Sequence, residues 1–292
     1  MAVEAQPFQQ PGRKALKIEP IQILSYVAMI LVVIVILVPI FWMLSGSLKQ
    51  NSEIMKFPPQ WLPSDPQWHN YRDAWNSAPF GRFYLNTIVT TLAGTTLELT
   101  NACLTAYALA FLRFPLKNLI FILLLAALMI PQQVTIIPNY LTVSDILGQN
   151  WINTYQGIVV PGASVAVGTF LLRQAFMSLP KEVIDAARVD GANHLRLLWQ
   201  IVIPMSKPVL VTFGLISLVA KWNDYLWPLI VTNQDRMRTL SVGISYLYNP
   251  ESIVRWGPLL AGTFFVIAPL LVIYVWAQKH IIEGITAGAT KS

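Results

Sequence analysis

The chain has 292 residues, of which 55% are hydrophobic and only 12% carry a charge. An ordinary soluble domain is about 25% charged, so this chain has too few charged side chains to cover a soluble globule. The abundant apolar residues exclude a disordered protein, and the single cysteine, Cys103, excludes a disulfide scaffold. The composition therefore favours an integral membrane protein. In such a protein a net charge of +6 concerns the loops and does not predict a nucleic-acid partner.

Six apolar stretches are about as long as the roughly 20 residues that a helix needs to cross a bilayer. Backbone polar groups inside lipid need internal partners, so each stretch is predicted to be a helix and the fold to be all-α. The stretches are residues 21–44, 84–111, 116–137, 155–172, 208–231 and 258–277.

The basic residues predict an orientation. With the N-terminus in the cytoplasm, more of the Lys and Arg residues fall on the cytoplasmic side, so both termini are expected there. Residues 1–20 are rich in Gln, Pro and basic side chains and are predicted to form a flexible tail. On the outer side, Trp61, Trp68 and Trp75 are expected at the membrane interface, with contact to an external partner as the alternative.

The cytoplasmic segment 178–204 is too polar to span the membrane. Pro180 suits a first helical turn, and Glu182 and Asp185 place negative charge near the positive end of that helix. Gly191 then permits a turn before a second amphipathic stretch. The pattern predicts two short helices, which either dock onto a partner or lie on the membrane surface.

The first of these helices is predicted to present small apolar residues. Val183, Ala186 and Ala187 are spaced at i, i+3 and i+4, which predicts that they share one face. Small side chains on such a face would let a partner approach closely.

The spacing of this segment resembles a known motif. Asp185, Ala186 and Ala187, then Gly191, then residues 201–204 resemble the EAA loop of permease subunits of ATP-binding-cassette importers. Asp185 replaces a glutamate of that pattern and Ile203 a leucine, and both keep the charge or the apolar character. The resemblance extends over about residues 20–290 and is strongest to the second permease of maltose-type carbohydrate importers.

Two short patches, residues 127–131 and 222–229, resemble within that group the permeases of glycerol-3-phosphate importers. The resemblance implies a transmembrane domain over residues 21–292, with a core permease domain at about 84–280 and a coupling loop at 178–204. Such a subunit forms half of the translocation path for a carbohydrate-class solute, namely a sugar, a polyol or sn-glycerol-3-phosphate.

The resemblance also implies partners. These are a second homologous permease, two ATPase subunits and an extracytoplasmic solute-binding protein, in the lipid of a bacterial or archaeal plasma membrane. ATP and Mg would be bound by the ATPases, so this chain itself is expected to be neither an enzyme nor a cofactor-binding protein. The residues that the resemblance assigns to ATPase coupling are Glu182, Asp185, Ala186, Ala187, Gly191, Ile201 and Pro204. Aspartate in place of Ala187 or Gly191 is expected to uncouple the inserted protein.

Charged residues inside apolar stretches are costly, at about 2.5–3.5 kcal/mol each near the bilayer centre, and are therefore informative. Glu98 and Lys221 are both expected near the midplane or somewhat outward of it. Either they form a buried ion pair or Lys221 snorkels to the surface, or else both line the translocation path. Asn223 and Trp227, at i and i+4, are predicted to share a helix face suited to hydroxyl bonding and aromatic stacking.

Lys221 would also suit a phosphate-bearing solute. Gln132 and Gln133, beside Pro131, are predicted to line a break in the third stretch. The candidate path residues are Glu98, Gln132, Gln133, Lys221, Asn223, Asp224, Tyr225 and Trp227.

Several catalytic and binding motifs are missing from the sequence. There is no G-x-x-x-x-G-K-[ST] nucleotide loop, no H-E-x-x-H and no G-x-S-x-G. The three histidines are scattered without metal-ligand spacing, so no metal site is predicted. Two alternatives to an importer subunit remain. An ion-coupled secondary transporter would be expected to contain inverted repeats and several intramembrane carboxylates. A membrane enzyme would be expected to contain a cluster of catalytic residues.

Overall fold

The computed structural model describes residues 20–163, 166–248 and 254–286. Within these ranges the chain is mostly helical and has no β-strand, only an isolated bridge between Ile146 and Gln149. The all-α prediction is therefore confirmed. The predicted tail and both chain termini lie outside the described residues, apart from Pro20.

The helices follow one another with short connections. In the first half they are α1 Pro20–Ser47, α2 Asn51–Ile54, α3 His69–Asn76, α4 Phe80–Phe111, α5 Lys117–Ala127, α6 Gln132–Ser144, α7 Tyr155–Val159 and α8 Ala166–Met177. In the second half they are α9 Lys181–Val189, α10 His194–Leu197, a π-helical turn Leu198–Val202, α11 Ile203–Met205, α12 Lys207–Trp222, α13 Leu226–Val231, a 3₁₀ turn Asp235–Met237, α14 Leu240–Gly243, a 3₁₀ turn Ile244–Leu247 and α15 Trp256–Thr286.

Two described helices are long and apolar enough to cross a membrane unbroken, namely α1 and the part Trp256–Gln278 of α15. Two bent pairs also qualify when each is counted as one crossing: α5 with α6, which meet at 102°, and His194–Met205 with α12, which meet at 83°. Helix α4 is longer than either unbroken helix, at 32 residues, but it is rich in threonine and less apolar. Six crossings therefore remain a prediction, whereas the helical character of each stretch is observed.

Three predicted stretches are not continuous helices, and proline explains each break. Pro131 adopts an extended conformation between α5 and α6, Pro161 follows the end of α7, and Pro228 lies in the first turn of α13. Proline has no backbone N–H, and its ring clashes with the carbonyl four residues earlier, so a helix cannot run through these points without strain. The stretches predicted at 116–137, 155–172 and 208–231 are therefore each divided into two helices.

Helix α4 is at the centre of the packing. It contacts α8 and α12 along much of its length, and α12 in turn contacts α15, against which α1 packs. On the outer side, Trp75 packs against Tyr84 and Phe265, which makes it part of the fold. Trp61 and Trp68 are largely exposed, so both predicted roles stay open for them.

In the described residues the apolar core has three parts. The first, which we call the coupling-side cluster, joins α4, α8, α9, α10, the π-helical turn and α12 through Ala102, Cys103, Ala106, Tyr107, Leu172, Phe176, Ile184, Ala187, Leu197, Leu198, Val202, Leu210 and Phe213. The second joins α4, α12, α14 and α15 around Trp222, and the third joins α6, α7 and α13 around Trp227. Cys103 is buried, as predicted.

Gly168 makes the close approach of α4, α8 and α12 possible. A Cβ atom at this position would overlap the ring of Phe213 and would lie 2.7 Å from the Cβ of Ala102. The ring is fully packed and the Ala102 Cβ is fixed to the α4 backbone, so neither can yield freely. Gly214 on α12 has no such restriction, because its Cβ would meet only Leu99, at 3.9 Å.

Gly168→Ala is therefore expected to lower the stability of the protein by about 1–3 kcal/mol through overpacking. Gly214→Ala is the matched control, because alanine favours a helix over glycine by up to about 1 kcal/mol and here meets no obstacle. Thermal unfolding of both purified variants in one detergent measures the difference. Equal unfolding temperatures would show that the three helices do not depend on Gly168.

Candidate coupling surface and polar site in the membrane domain

Helix α9 is the first predicted element of the coupling loop, and local sequence explains its limits. Pro180 precedes it, Glu182 lies in its first turn and Arg188 in its last, so both charges are favourable to the helix dipole. Asp185 and Arg188 form an exposed ion pair at 3.4 Å. Such a pair contributes little to stability, because both charges remain solvated.

Gly191 ends α9 in a Schellman motif. Its φ is +79°, its N–H donates to the Arg188 carbonyl at 3.0 Å, and the N–H of Ala192 donates to the Ala187 carbonyl at 3.0 Å. Glycine adopts this left-handed conformation without steric cost. The carboxamide of Asn193 then accepts the N–H of Arg196 at 2.8 Å and begins α10.

The face of α9 that packs inward is not the predicted one. Ile184 and Ala187 are buried in the coupling-side cluster, whereas Val183 and Ala186 are exposed. Ile184 buries more apolar area than Val183 would, which turns the helix so that Ile184 and Ala187, at i and i+3, face the core. The prediction that Val183, Ala186 and Ala187 share a face is therefore wrong for Ala187.

The predicted coupling residues consequently divide into two groups. Glu182, Asp185, Ala186 and Gly191 are exposed together on α9 and at its end. Ala187 and Ile201 pack on the coupling-side cluster and so support the loop from within. Pro204 is exposed at the far end of the loop, in α11.

The loop is attached to the membrane helices by more than apolar contact. The hydroxyl of Tyr107 on α4 lies 2.9 Å from Nδ1 of His194, the first residue of α10. This pair was not predicted from the sequence, because neither residue belongs to a motif. Together with the coupling-side cluster it ties the segment 178–204 to α4, α8 and α12.

Inside the membrane domain, Glu98 and Lys221 form an ion pair. The Lys221 ammonium lies 2.9 Å from Oε2 of Glu98, and the two side chains are only 17% and 12% exposed. Of the two interpretations of these charges, the structure therefore shows the buried pair. Gly94 makes it possible, because a Cβ there would lie 2.7 Å from the Lys221 Cδ.

Two further groups complete this polar site. The Ser217 hydroxyl donates to Glu98 Oε2 at 2.6 Å, and the Lys221 ammonium donates to the Gly162 carbonyl at 2.7 Å. The site thus joins α4, α12 and the break between α7 and α8. Ser217 lies one turn before Lys221, a spacing that sequence could have revealed, whereas no sequence signal points to the Gly162 carbonyl.

The predicted helix face of Asn223 and Trp227 does not exist. Helix α12 ends at Trp222 and α13 begins at Leu226, because Pro228 prevents one continuous helix. The Trp227 side chain is 5% exposed, and its indole N–H donates to the Gly157 carbonyl at 3.0 Å, so it is part of the core. Asn223 is exposed and donates to the Val219 carbonyl of its own helix at 2.9 Å.

The remaining candidate path residues are accessible in this chain. Tyr225 is exposed and Asp224 partly buried in the break between α12 and α13. Gln132 and Gln133 are exposed in the first turn of α6, at the bend that begins with Pro131. In the described part of the chain, no three His, Cys, Asp or Glu side chains are grouped closely enough to hold a metal ion.

Comparison with known proteins relates this architecture to a transport family. Residues 101–285 match the family model described as "Binding-protein-dependent transport system inner membrane component". The chain is 34% identical, over 91% of its length and 96% of the relative's, to the sn-glycerol-3-phosphate transport system permease protein UgpE of Yersinia pestis bv. Antiqua. It is 33% identical, over 90% and 95%, to the protein of the same name from Salmonella typhi.

A solved structure agrees with these relatives. A crystal structure of a bacterial ABC transporter involved in the import of the acidic polysaccharide alginate matches with a TM-score of 0.78 and 25% identity, covering 94% of this chain and 99% of the other. The matched family segment contains α8, the whole coupling loop and α12. The chain therefore belongs to the family of binding-protein-dependent transport system inner membrane components, the permease subunits of ATP-driven importers.

Proposed function

We propose that this chain forms half of the translocation path of an importer for sn-glycerol-3-phosphate or a related carbohydrate-class solute. The identity of 34% to a glycerol-3-phosphate permease over 91% of the chain supports the solute class. The observation that carries the role is the exposed acidic and small-residue face of α9, which is fixed to three membrane helices by the coupling-side cluster. A self-sufficient secondary transporter would have no use for such a face.

The partners follow from this role. We propose a second homologous permease, two ATPase subunits that bind ATP and Mg, and an extracytoplasmic solute-binding protein. A second crystal structure with the same fold, at 14% identity and a TM-score of 0.64, is that of an alginate ABC transporter in complex with a pentasaccharide-bound periplasmic protein. The coupling loop and both termini would face the cytoplasm, with residues 21–292 as the transmembrane domain, about 84–280 as its core and 178–204 as the coupling loop.

Coupling would proceed by rigid-body movement. An ATPase that docks on Glu182, Asp185, Ala186 and the turn at Gly191 would carry α9 with it as the two ATPases close. Because Ile184 and Ala187 are packed against α4, α8 and α12, that movement reaches the membrane helices without an intermediate flexible segment. The outcome is a change of population between inward-facing and outward-facing states.

The buried pair of Glu98 and Lys221 holds α4 and α12 together and does not bind the solute. Glu98 neutralises Lys221, and the Gly162 carbonyl takes a further hydrogen of the ammonium, so neither charge is free for a solute. We assign solute contacts to Asn223, Asp224 and Tyr225, which lie in the break after α12. Gln132 and Gln133, at the bend between α5 and α6, are the second candidate group.

If α9 docks on an ATPase, a large charged side chain on its exposed face should disturb the coupling. Ala186→Arg is expected to leave the protein inserted but to lower ATP hydrolysis stimulated by the loaded binding protein at least about tenfold, which corresponds to about 1.4 kcal/mol of lost coupling. Gln174→Arg is the control, because it adds the same side chain at an exposed position on α8. Normal stimulation in the Ala186 variant would place the docking surface elsewhere.

A double-mutant cycle tests the contribution of the Glu98–Lys221 ion pair to stability. Lys221→Met leaves Glu98 buried without its partner and is expected to cost about 3–5 kcal/mol. The double change Lys221→Met with Glu98→Met replaces both charges by apolar side chains and is expected to recover most of that loss. Thermal unfolding of the purified importer carrying each single and the double change measures the coupling of the two residues.

The same double variant tests the holding role. If the pair only holds the helices together, the folded double variant takes up labelled sn-glycerol-3-phosphate with a KM near that of the unchanged importer. A folded double variant whose KM rises tenfold would instead place Lys221 in contact with the solute.

A further inference from the structure

A groove of about 920 Å³ lies beside the coupling loop, between the end of α4, the turn into α5, the end of α8 and α9. None of its lining residues belongs to the polar site in the membrane domain, and it borders the proposed docking face of α9, with which it shares Asp185. Four cations line it, against one carboxylate, which belongs to Asp185. The cations are Arg113, Lys117, Lys181 and Arg188.

Most of this positive charge is not neutralised by the part of the chain that the structure describes. Among the described residues, Asp185 pairs with Arg188, and the two other ion pairs, Glu98 with Lys221 and Asp73 with Arg255, lie outside the groove. Lys117 donates to the backbone carbonyls of Ala110 and Leu112, at 3.3 and 2.9 Å, but reaches no carboxylate. Within the described ranges, Arg113 from the turn into α5 and Lys181 from the first turn of α9 form no ion pair, so both can contact an anion in the groove.

The residues around the groove indicate which kind of anion would bind there. Its walls also contain Phe111, Phe114 and Phe176, and the helix that leaves it, α5, exposes a row of large apolar side chains. That row consists of Leu119, Ile120, Ile122 and Leu123. Cations at the point where an apolar helix enters the hydrocarbon lie at the depth of lipid headgroups. A free phosphate ion would have no use for the apolar row, whereas acyl chains would pack along it.

We propose that this groove binds the phosphate-bearing headgroup of an anionic phospholipid, whose acyl chains lie along α5. Arg113 and Lys181 contact the phosphate by charge-assisted hydrogen bonds. Lys117 holds the end of α4 and adds positive charge at the base of the groove. The bound lipid thus joins the turn between α4 and α5 to the first turn of α9.

The test uses the purified whole importer and dioleoylphosphatidylglycerol as the probe. Native mass spectrometry of the complex, titrated with this lipid and with dioleoylphosphatidylcholine, counts the lipids retained. The double variant Arg113→Gln with Lys181→Gln is expected to weaken phosphatidylglycerol retention about tenfold or more, since each cation near the headgroup contributes to binding. Retention of phosphatidylcholine is expected to be low in both proteins.

The control is the double variant Arg196→Gln with Lys207→Gln, which removes the same charge from exposed positions outside the groove. It is expected to retain phosphatidylglycerol like the unchanged importer. Both double variants alter exposed side chains, so equal unfolding temperatures would show that each protein is folded.

Three results would overturn the proposal. Equal phosphatidylglycerol retention by the two double variants would show that the groove does not select the lipid. Competition by inorganic phosphate at the same concentration as the lipid would identify a site for a free anion. Loss of the ATPase subunits from the groove variant on gel filtration, with lipid retention unchanged, would identify the groove as part of the ATPase interface.

Discussion

One apolar core, the coupling-side cluster, packs the loop helix α9 against the membrane helices α4, α8 and α12. Ala102, Leu172 and Phe213 belong to three membrane helices, and Ile184 belongs to the loop outside them, yet all four are buried in one apolar core. Membrane helices associate through close packing and not through a hydrophobic driving force, whereas burial of Ile184, which lies outside the membrane helices, contributes about 1.5–3 kcal/mol. A force applied to α9 therefore acts on the whole bundle.

Three prolines account for the breaks in the membrane helices. Pro131, Pro161 and Pro228 interrupt stretches that would otherwise form continuous helices, and the resulting breaks carry the accessible polar residues. Freed backbone groups at such breaks need partners inside the membrane. The Lys221 ammonium supplies one for the Gly162 carbonyl, so the ion pair with Glu98 also supports a break in the helical structure.

Sequence was sufficient for the class of fold, the short helices of segment 178–204 and the turn at Gly191, because apolar length, loop polarity and residue spacing are local properties. It was not sufficient for the inward face of α9, since Val183 and Ile184 are both apolar and only the packing of the coupling-side cluster selects Ile184. It also placed Asn223 and Trp227 on one helix, although Pro228, visible in the sequence, argued for a break. The pairing of Glu98 with Lys221 was predicted as one of two alternatives. Their positions along the two helices place both residues at a similar depth in the membrane, but they do not determine whether the side chains meet.

The proposed coupling requires contact between the exposed face of α9 and an ATPase. Because Cys103 is buried, Ala186→Cys introduces one reactive thiol at the centre of that face. Treatment of native membranes with a short thiol-to-amine cross-linker, followed by mass spectrometry, identifies the neighbour. We expect a cross-link to a subunit with a G-x-x-x-x-G-K-[ST] nucleotide loop, at a yield that changes with ATP. A cross-link only to other copies of this chain, in membranes where the ATPase is present, would contradict it.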